Sequence, residues 1–282
     1  LGFEGPSMVI DTACSSSLVA IHTAVNSLIL KECDSAVVCG GGILGPAASI
    51  AFALAGMLSP DGKCHTFDES ANGYCRGEGC CAVVLIRLSD AERDGDKIYA
   101  IIKGSAVMQD GKSASLTAPN GLAQEQLLRA ALADAKVSAH EVSYIEAHGT
   151  GTKLGDPIEV EAIAKVYGDQ RDESNPLYIS GVKANLGHLE AAAGMAGLFA
   201  AMLSLNTASV FPNAGLKTMN PLIHDLTCLK PFVFPKSLLQ RSHSFAMVNS
   251  FGYSGALASL VLEKPKLPIP FSTTVALPPT PE

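Results

Sequence analysis

The sequence has little charge and no dense basic run. Only 17% of the 282 residues are charged, while 48% are hydrophobic, a balance too apolar for a disordered chain. Asp and Glu number 27 against 20 Lys and Arg, which gives a net charge of −7 and argues against nucleic acid or an anionic membrane surface as the main partner. Tryptophan is absent and glycine abundant, with 26 residues, which suits close packing of helices on a sheet and backbone that approaches a ligand.

Flanking features of a membrane span are missing as well. The uncharged stretches 35–58 and 191–216 each exceed the roughly 20 residues that a spanning helix needs. The first contains Gly40–Gly42 and Gly45-Pro46, the second Pro212-Asn213, and neither has neighbouring clusters of Lys and Arg or an aromatic belt. We therefore expect two buried core segments and no membrane span.

The eight cysteines do not form a metal-binding pattern. Cys75 and Cys80 lie in a Gly-rich turn with no second pair at short spacing, so we expect no metal site. The even count is compatible with disulfides, but the chain is long, rich in core residues and without a recognisable secretory signal. Reduced thiols in an intracellular compartment are therefore expected.

Helical and strand patterns alternate along the chain, which predicts an α/β fold with helices on both faces of a sheet. We predict helices at 14–30, 124–135, 191–205 and from Pro157 onward, with Asp156 as its N-cap. Strands are predicted at 7–10, 36–39, 142–147 and 178–182, with antiparallel pairs at 79–88 with 97–107 and at 243–248 with 256–263. Six prolines in residues 265–282 indicate a linker or tail.

Three predicted strand ends carry reactive side chains. Cys14 lies in the turn between the first strand and a helix, where a helix N-terminus would lower the pKa of its thiol. A buried cysteine beside a Ser-rich N-cap is the alternative. His148 is followed by a Gly- and Thr-rich loop that could hold an extended polar ligand, or it is a structural histidine in a turn.

The third strand end, residues 182–190, contains Lys183, His188 and Glu190 among apolar residues. A buried salt bridge between Lys183 and Glu190 would explain two of the three and leave His188 free. If the three strand ends converge, one thiol and two imidazoles suit covalent acyl chemistry that goes beyond hydrolysis, because a hydrolase needs only one histidine.

These segments resemble the β-ketoacyl synthase (ketosynthase) family of the thiolase superfamily, most closely the ketosynthase domains of polyketide synthases. The resemblance rests on DTACSSSL at 11–18, EAHGTGT at 146–152 with GDP at 155–157, and KANLGH at 183–188. Supporting segments are GMLSPDG at 56–62, RGEG at 76–79, LTAPNG at 116–121 and NSFG at 249–252.

The resemblance implies a thiolase-like layered α/β/α/β/α fold, here lacking its first strands. Residues 1–110 would be the remainder of the N-terminal half, 111–264 the C-terminal half and 265–282 a linker or tail. Because the chain begins at Leu1, close to the Cys14 motif, we expect an N-terminally truncated fragment.

The implied reaction is a decarboxylative Claisen condensation of an acyl thioester with a malonyl-type thioester. Cys14 would carry the acyl group, and His148 and His188 would stabilise the enolate. The backbone N–H groups of Cys14 and Phe251 would form the oxyanion hole.

The same resemblance implies that Lys183 orders the site by pairing with Glu190. It also implies that Thr150 and Thr152 contact a phosphopantetheine arm. No cofactor is expected to bind directly, since the substrates are carried on acyl carrier protein or CoA. Further expectations are a homodimer in the full-length protein and a cytoplasmic location, with a plastid or another organelle left open.

One segment departs from the family pattern. Relatives continue after the Asn-Ser-Phe-Gly turn with two further glycines and a Thr-Asn-Ala-His run, whereas residues 253–259 read YSGALAS. A non-elongating, acyl-transferring or chain-length-controlling relative is the alternative function, although such relatives usually lack the cysteine or one histidine. A thiolase or a cysteine hydrolase fits the residue set less well.

Overall fold

The computed structural model describes residues 2–113, 118–169, 171–227 and 230–266. Part of the predicted LTAPNG segment and most of the proline-rich tail lie outside these residues. The described helices are α1 (Ser16–Ile29), α2 (Pro46–Leu54), α3 (Leu88–Asp94), α4 (Gly121–Ala135), α5 (Gly155–Tyr167), α6 (Lys183–Leu186), α7 (Ala193–Thr207) and α8 (Pro221–Thr227). The described strands are β1 (Ser35–Gly42), β2 (Gly79–Ile86), β3 (Ile101–Gln109), β4 (Val142–Glu146), β5 (Leu177–Ser180), β6 (Ser209–Val210), β7 (Phe232–Val233), β8 (Leu239–Gln240), β9 (Phe245–Phe251) and β10 (Ala256–Glu263).

A six-stranded mixed sheet is the centre of the molecule, with the strand order β3-β10-β9-β4-β5-β7. β3, β10 and β9 are antiparallel neighbours, whereas β9, β4, β5 and β7 run parallel. β4 and β5 are short runs of largely buried residues, as expected for parallel strands covered on both faces.

Helices cover both faces of this sheet. Leu127 of α4 and Val160 of α5 belong to the core cluster on one face, and Leu18 of α1 and Met195 of α7 to the cluster on the other. The antiparallel pair β1–β2 packs beyond α1, so that helices and sheets alternate in layers. The predicted layered α/β organisation is confirmed.

Two strand predictions are wrong. Residues 7–10 form no strand and are largely exposed. The segments 79–88 and 97–107 do not pair with each other, because β2 pairs with β1 and β3 pairs with β10. The charged stretch between them forms α3, which is stabilised by ion pairs of Asp90 with Arg87 and Arg93 and ends at Gly95 in the left-handed region.

The uncharged stretches behave differently from each other. Residues 191–216 contain the largely buried helix α7, as predicted. The expectation that residues 35–58 are buried is wrong for α2, which has no buried residue, and Ile43 and Leu54 are 88% and 85% exposed because no described element covers them. Among the described residues, no helix is long and apolar enough to cross a membrane.

The topology brings the chemistry-bearing loops to one edge of the central sheet. β9, β4 and β5 are adjacent and parallel, so their carboxyl ends, Phe251, Glu146 and Ser180, lie side by side. Ligands of α/β proteins bind beyond the carboxyl ends of such strands. The turn before α1 reaches the same edge through β9.

Candidate active site

Cys14 lies at the centre of a tight 3₁₀ turn, Ala13–Ser15, that leads directly into α1. Ala13 has a φ of 56°, a left-handed conformation that costs energy for a residue with a side chain. The Asp11 carboxylate compensates by accepting the Ala13 N–H at 3.0 Å, and the Ser16 hydroxyl donates to the Ala13 carbonyl at 2.6 Å. The strained turn is therefore held from both sides, and it presents Cys14 at the sheet edge.

The end of β9 holds this turn in place. The Ser250 hydroxyl donates to the Cys14 carbonyl at 2.8 Å. Gly252 lies so close to the turn that a Cβ atom at this position would be 2.2 Å from the Thr12 carbonyl oxygen. Only glycine fits this contact, so the cysteine turn and the loop after β9 form one packed unit.

The Cys14 thiol is less acidic than the sequence predicts. Burial raises its pKa to about 11, because the thiolate is the form that desolvation disfavours. The charge of Lys183 and the N–H of Tyr253 act in the opposite direction. The structure therefore does not agree with the expectation of a lowered pKa, because desolvation outweighs these two groups.

His148 and His188 are both held as neutral hydrogen-bond donors. Nδ1 of His148 accepts the Phe251 N–H at 3.3 Å, and Nδ1 of His188 accepts the Glu190 N–H at 2.9 Å. With Nδ1 accepting, the ring proton of each lies on Nε2. Burial and the charge of Lys183 keep the pKa of both imidazoles well below the usual value, so neither carries a charge at neutral pH.

The two rings approach each other at 5.8 Å between centroids, with their planes at 87°. Both histidines and Cys14 line one cavity of about 130 Å³. The predicted convergence of one thiol and two imidazoles is therefore present in the fold.

The assignment of the Phe251 N–H to the oxyanion hole conflicts with this geometry. That N–H already donates to His148, and its role is to orient the imidazole. The backbone N–H groups that act on the Cys14 sulfur are its own and that of Tyr253, two residues after Phe251. In this structure the Phe251 N–H is thus engaged by His148, while the Tyr253 N–H lies toward the sulfur.

The predicted pairing of Lys183 with Glu190 is also wrong. Glu190 instead forms a two-pronged ion pair with Arg76, at 2.5 Å to Nε and 2.9 Å to Nη2. Lys183 is 3% exposed, and the ion pairs of the described residues join Glu190 to Arg76 and leave Lys183 without a carboxylate within 4 Å. Burial lowers its pKa, and the more distant Glu146 and Glu159 oppose that shift.

Two buried carboxylates of α5 shape the loop after His148, a role that the sequence pattern leaves unassigned. Glu159 accepts the N–H groups of His148 at 2.8 Å and Gly149 at 3.0 Å. Asp156 accepts those of Phe67 at 2.8 Å and Gly151 at 3.1 Å, and so is not the helix N-cap. Acidic residues in the first turns of a helix that follows a Gly-rich loop are the sequence signal that could have indicated this binding of the loop's N–H groups.

Thr150 and Thr152 line the same cavity as Cys14. Their hydroxyl oxygens are 3.3 Å apart, and that of Thr152 accepts the Gly155 N–H at 3.1 Å. Within the described ranges no cluster of three or more His, Cys, Asp or Glu could hold a metal ion.

Comparison with known proteins supports the same family over most of the chain. Residues 1–91 match "Beta-ketoacyl synthase, N-terminal domain", and residues 99–217 match "Beta-ketoacyl synthase, C-terminal domain". The chain is 48% identical over 270 residues to a phenolphthiocerol/phthiocerol polyketide synthase of Mycobacterium tuberculosis, covering 94% of this chain and 12% of that protein. It is 47% identical to highly reducing polyketide synthase 40 of Fusarium mangiferae, covering 92% of this chain and 11% of that protein.

Solved structures support the same family. The ketosynthase from module 6 of the bacillaene synthase of Bacillus subtilis 168 superimposes with a TM-score of 0.86 at 42% identity, covering 91% of this chain and 47% of the other. This likeness confirms the thiolase-like fold. The chain thus spans about half of that ketosynthase and about an eighth of the longer relatives. The chain belongs to the β-ketoacyl synthase family, and its relatives are the ketosynthase domains of polyketide synthases.

Proposed function

We propose that this chain carries the site of a decarboxylative Claisen condensation, in which an acyl thioester is extended by a malonyl-type thioester. The observation that supports the proposal best is the pair of neutral imidazoles beside Cys14. Each has Nδ1 occupied by a backbone N–H, so each presents an Nε2–H donor. Two donors suit negative charge that develops on an oxygen in the transition state.

In the first half-reaction, the Cys14 sulfur attacks the carbonyl carbon of the acyl thioester. A new carbon–sulfur bond forms, the carrier's carbon–sulfur bond breaks, and the thiol proton leaves with the carrier thiol. The N–H groups of Cys14 and Tyr253 would bind the oxyanion, because the latter already faces the sulfur. A pKa of about 11 keeps Cys14 protonated at rest, which protects it from adventitious alkylation.

In the second half-reaction, the bond between the malonyl carboxylate and Cα breaks and CO₂ leaves. The electron pair moves into an enolate whose oxygen accepts hydrogen bonds from Nε2–H of His148 and His188. The enolate carbon then attacks the acyl carbonyl, and the Cys14 sulfur leaves and takes up one proton. The product is a β-ketoacyl thioester on the carrier.

The same tautomers argue against a cysteine hydrolase. A hydrolase needs a basic imidazole nitrogen beside the thiol to take its proton. In both histidines the free lone pair on Nδ1 is already used by a backbone N–H, and burial disfavours the protonated ring. The elongating reaction uses these rings in the form that the protein stabilises.

The proposal extends to substrates and partners. Thr150 and Thr152 would contact the phosphopantetheine arm of an acyl carrier protein or of CoA, and Lys183 would tune the electrostatics of the thiol. A homodimer, a cytoplasmic location and a division into halves at residue 110 complete the proposal.

Variants of the full-length protein test the division of roles. Cys14→Ala should abolish the acyl adduct seen by intact-mass spectrometry. His188→Ala should retain the adduct and lose condensation, while His224→Ala, an exposed histidine, serves as the matched control. Equal loss of acylation and condensation in His188→Ala would contradict the proposed division of roles. An acyl adduct in Cys14→Ala would show that Cys14 is not the nucleophile.

A further inference from the structure

The side chain of Gln124 has no role in the chemistry above, yet it lines the same cavity as Cys14, His148 and His188. Gln124 lies in the first turn of α4, and its backbone N–H donates to the Asn120 carbonyl. The residue is 2% exposed, so its carboxamide is withdrawn from bulk solvent.

The Oε1 atom of Gln124 is buried and accepts no hydrogen bond within the described part of the chain. Three other polar side chains of this cavity are partnered. Asp156 and Glu159 each accept backbone N–H groups, and Thr152 accepts that of Gly155. A buried acceptor without a donor is costly, which makes a hydrogen-bond donor from a ligand favourable at this point.

We propose that Gln124 is a specificity-determining residue that accepts a hydrogen bond from an N–H or O–H group of the thioester substrate. The inference rests on the proposed function, because it requires the thioester to enter this cavity. Both sources of such a donor belong to that substrate class: an amide N–H of the pantetheine arm, or a hydroxyl group on the acyl chain. A simple unsubstituted acyl chain offers no donor to Oε1.

The lining of the cavity explains why one acceptor would matter. Met57, Pro119 and Leu257 contribute apolar walls, and the carboxylate oxygens of Asp156 are used by the backbone. A substrate N–H or O–H that enters this cavity loses its hydrogen bond to water, and the unpartnered Oε1 of Gln124 can replace it. A site built to hydrogen-bond a donor discriminates against analogues without it, since the analogue leaves the acceptor unpaired.

The test compares Gln124→Met with Gln126→Met in the full-length protein. Both variants remove a carboxamide from α4, but Gln126 is exposed, so it is a matched control. The rate of Cys14 acylation is followed by intact-mass spectrometry with three probes: butanoyl-pantetheine, its analogue in which each amide N–H is replaced by an ester oxygen, and 3-hydroxybutanoyl-pantetheine. Urea unfolding shows whether each variant is folded.

We expect the acylation kcat/KM of Gln124→Met to fall by about 3- to 10-fold, the loss of one neutral hydrogen bond. If the donor is the pantetheine amide, Gln124→Met has a lower kcat/KM with butanoyl-pantetheine. In that case only the wild type is acylated faster by butanoyl-pantetheine than by its ester analogue. If the donor is the acyl hydroxyl, the loss is confined to the 3-hydroxybutanoyl probe. Either result supports the inference.

Identical kinetics of Gln124→Met and Gln126→Met on all three probes would overturn the inference while leaving the proposed function intact. If Gln124→Met does not fold, the wild type alone decides. In that case, equal acylation rates with all three probes overturn the inference. A wild-type protein whose Cys14 is not acylated by any probe refutes the proposed function and this inference with it.

Discussion

Glu159 offers a direct test of how the His148 loop is held. Its carboxylate accepts three hydrogen bonds, from the His148 N–H at 2.8 Å, the Gly149 N–H at 3.0 Å and Asn249 Nδ2 at 3.1 Å. The change Glu159→Gln replaces one carboxylate oxygen by an NH₂ group. Because each oxygen accepts at least one of these bonds, the change leaves at least one buried N–H facing another donor.

The expected cost follows from that geometry. A hydrogen bond to a charged acceptor is worth about 1.5–3 kcal/mol, and a stranded buried donor costs about 1–3 kcal/mol. Since the two contributions overlap, we expect Glu159→Gln to lower the free energy of unfolding by about 2–4 kcal/mol. Because His148 loses part of its anchor, condensation should fall more than Cys14 acylation.

Urea unfolding of Glu159→Gln and Glu161→Gln measures this cost. Glu161 is on the same helix and forms an exposed i,i+4 ion pair with Lys165. Its replacement should cost no more than about 0.5 kcal/mol. If the two variants are equally stable, the three hydrogen bonds of Glu159 do not hold the loop.

Three further results are expected. The alkylation rate of Cys14 by iodoacetamide should rise about tenfold per pH unit from 7 to 10, because a pKa of about 11 means that the thiolate fraction is still increasing. Gly252→Ala should slow Cys14 acylation at least about tenfold, since its Cβ would lie 2.2 Å from the Thr12 carbonyl oxygen and displace the turn. Arg76→Met should reduce condensation with acylation retained, because Arg76 fixes Glu190, whose N–H orients His188.

Matched controls accompany these measurements. Gly41→Ala places a Cβ where no atom lies within 4 Å, so acylation should be unchanged. Arg93→Met removes an exposed arginine that contacts Asp90 and Asp94. An alkylation rate that reaches a plateau below pH 9 would contradict the raised pKa of Cys14. Equal acylation in Gly252→Ala and Gly41→Ala would contradict the close contact of Gly252 with the turn. Equal condensation in Arg76→Met and Arg93→Met would contradict the role of Arg76 in fixing Glu190.

Local patterns predict most of the central fold. The paired strands β9 and β10, the helices α4 and α7 and the buried strands β4 and β5 follow from apolar runs bounded by turn residues. The failures concern long-range pairing. β3 pairs with β10, about 150 residues away in sequence, and no periodicity of residues 79–107 indicates this.

In the candidate site, too, the sequence does not predict contacts between distant residues. Short motifs are enough to locate the thiol and the two imidazoles, but not the partners of these groups. Arg76 pairs with Glu190 across 114 residues, whereas proximity in sequence favours Lys183. Which backbone N–H lies toward the Cys14 sulfur depends on the path of a turn within one or two residues. The motif cannot show that the Phe251 N–H donates to His148 while that of Tyr253 acts on the sulfur.

In the proposed reaction, Cys14 and the two histidines form a carbon–carbon bond by decarboxylation. The most direct measurement is a single turnover, in which the full-length protein is first acylated on Cys14 and then mixed with malonyl-pantetheine. We expect the acyl adduct to disappear as one equivalent each of CO₂ and β-ketoacyl-pantetheine appears. Release of the acyl group as a free acid, or its transfer to pantetheine without CO₂, would contradict the proposed reaction.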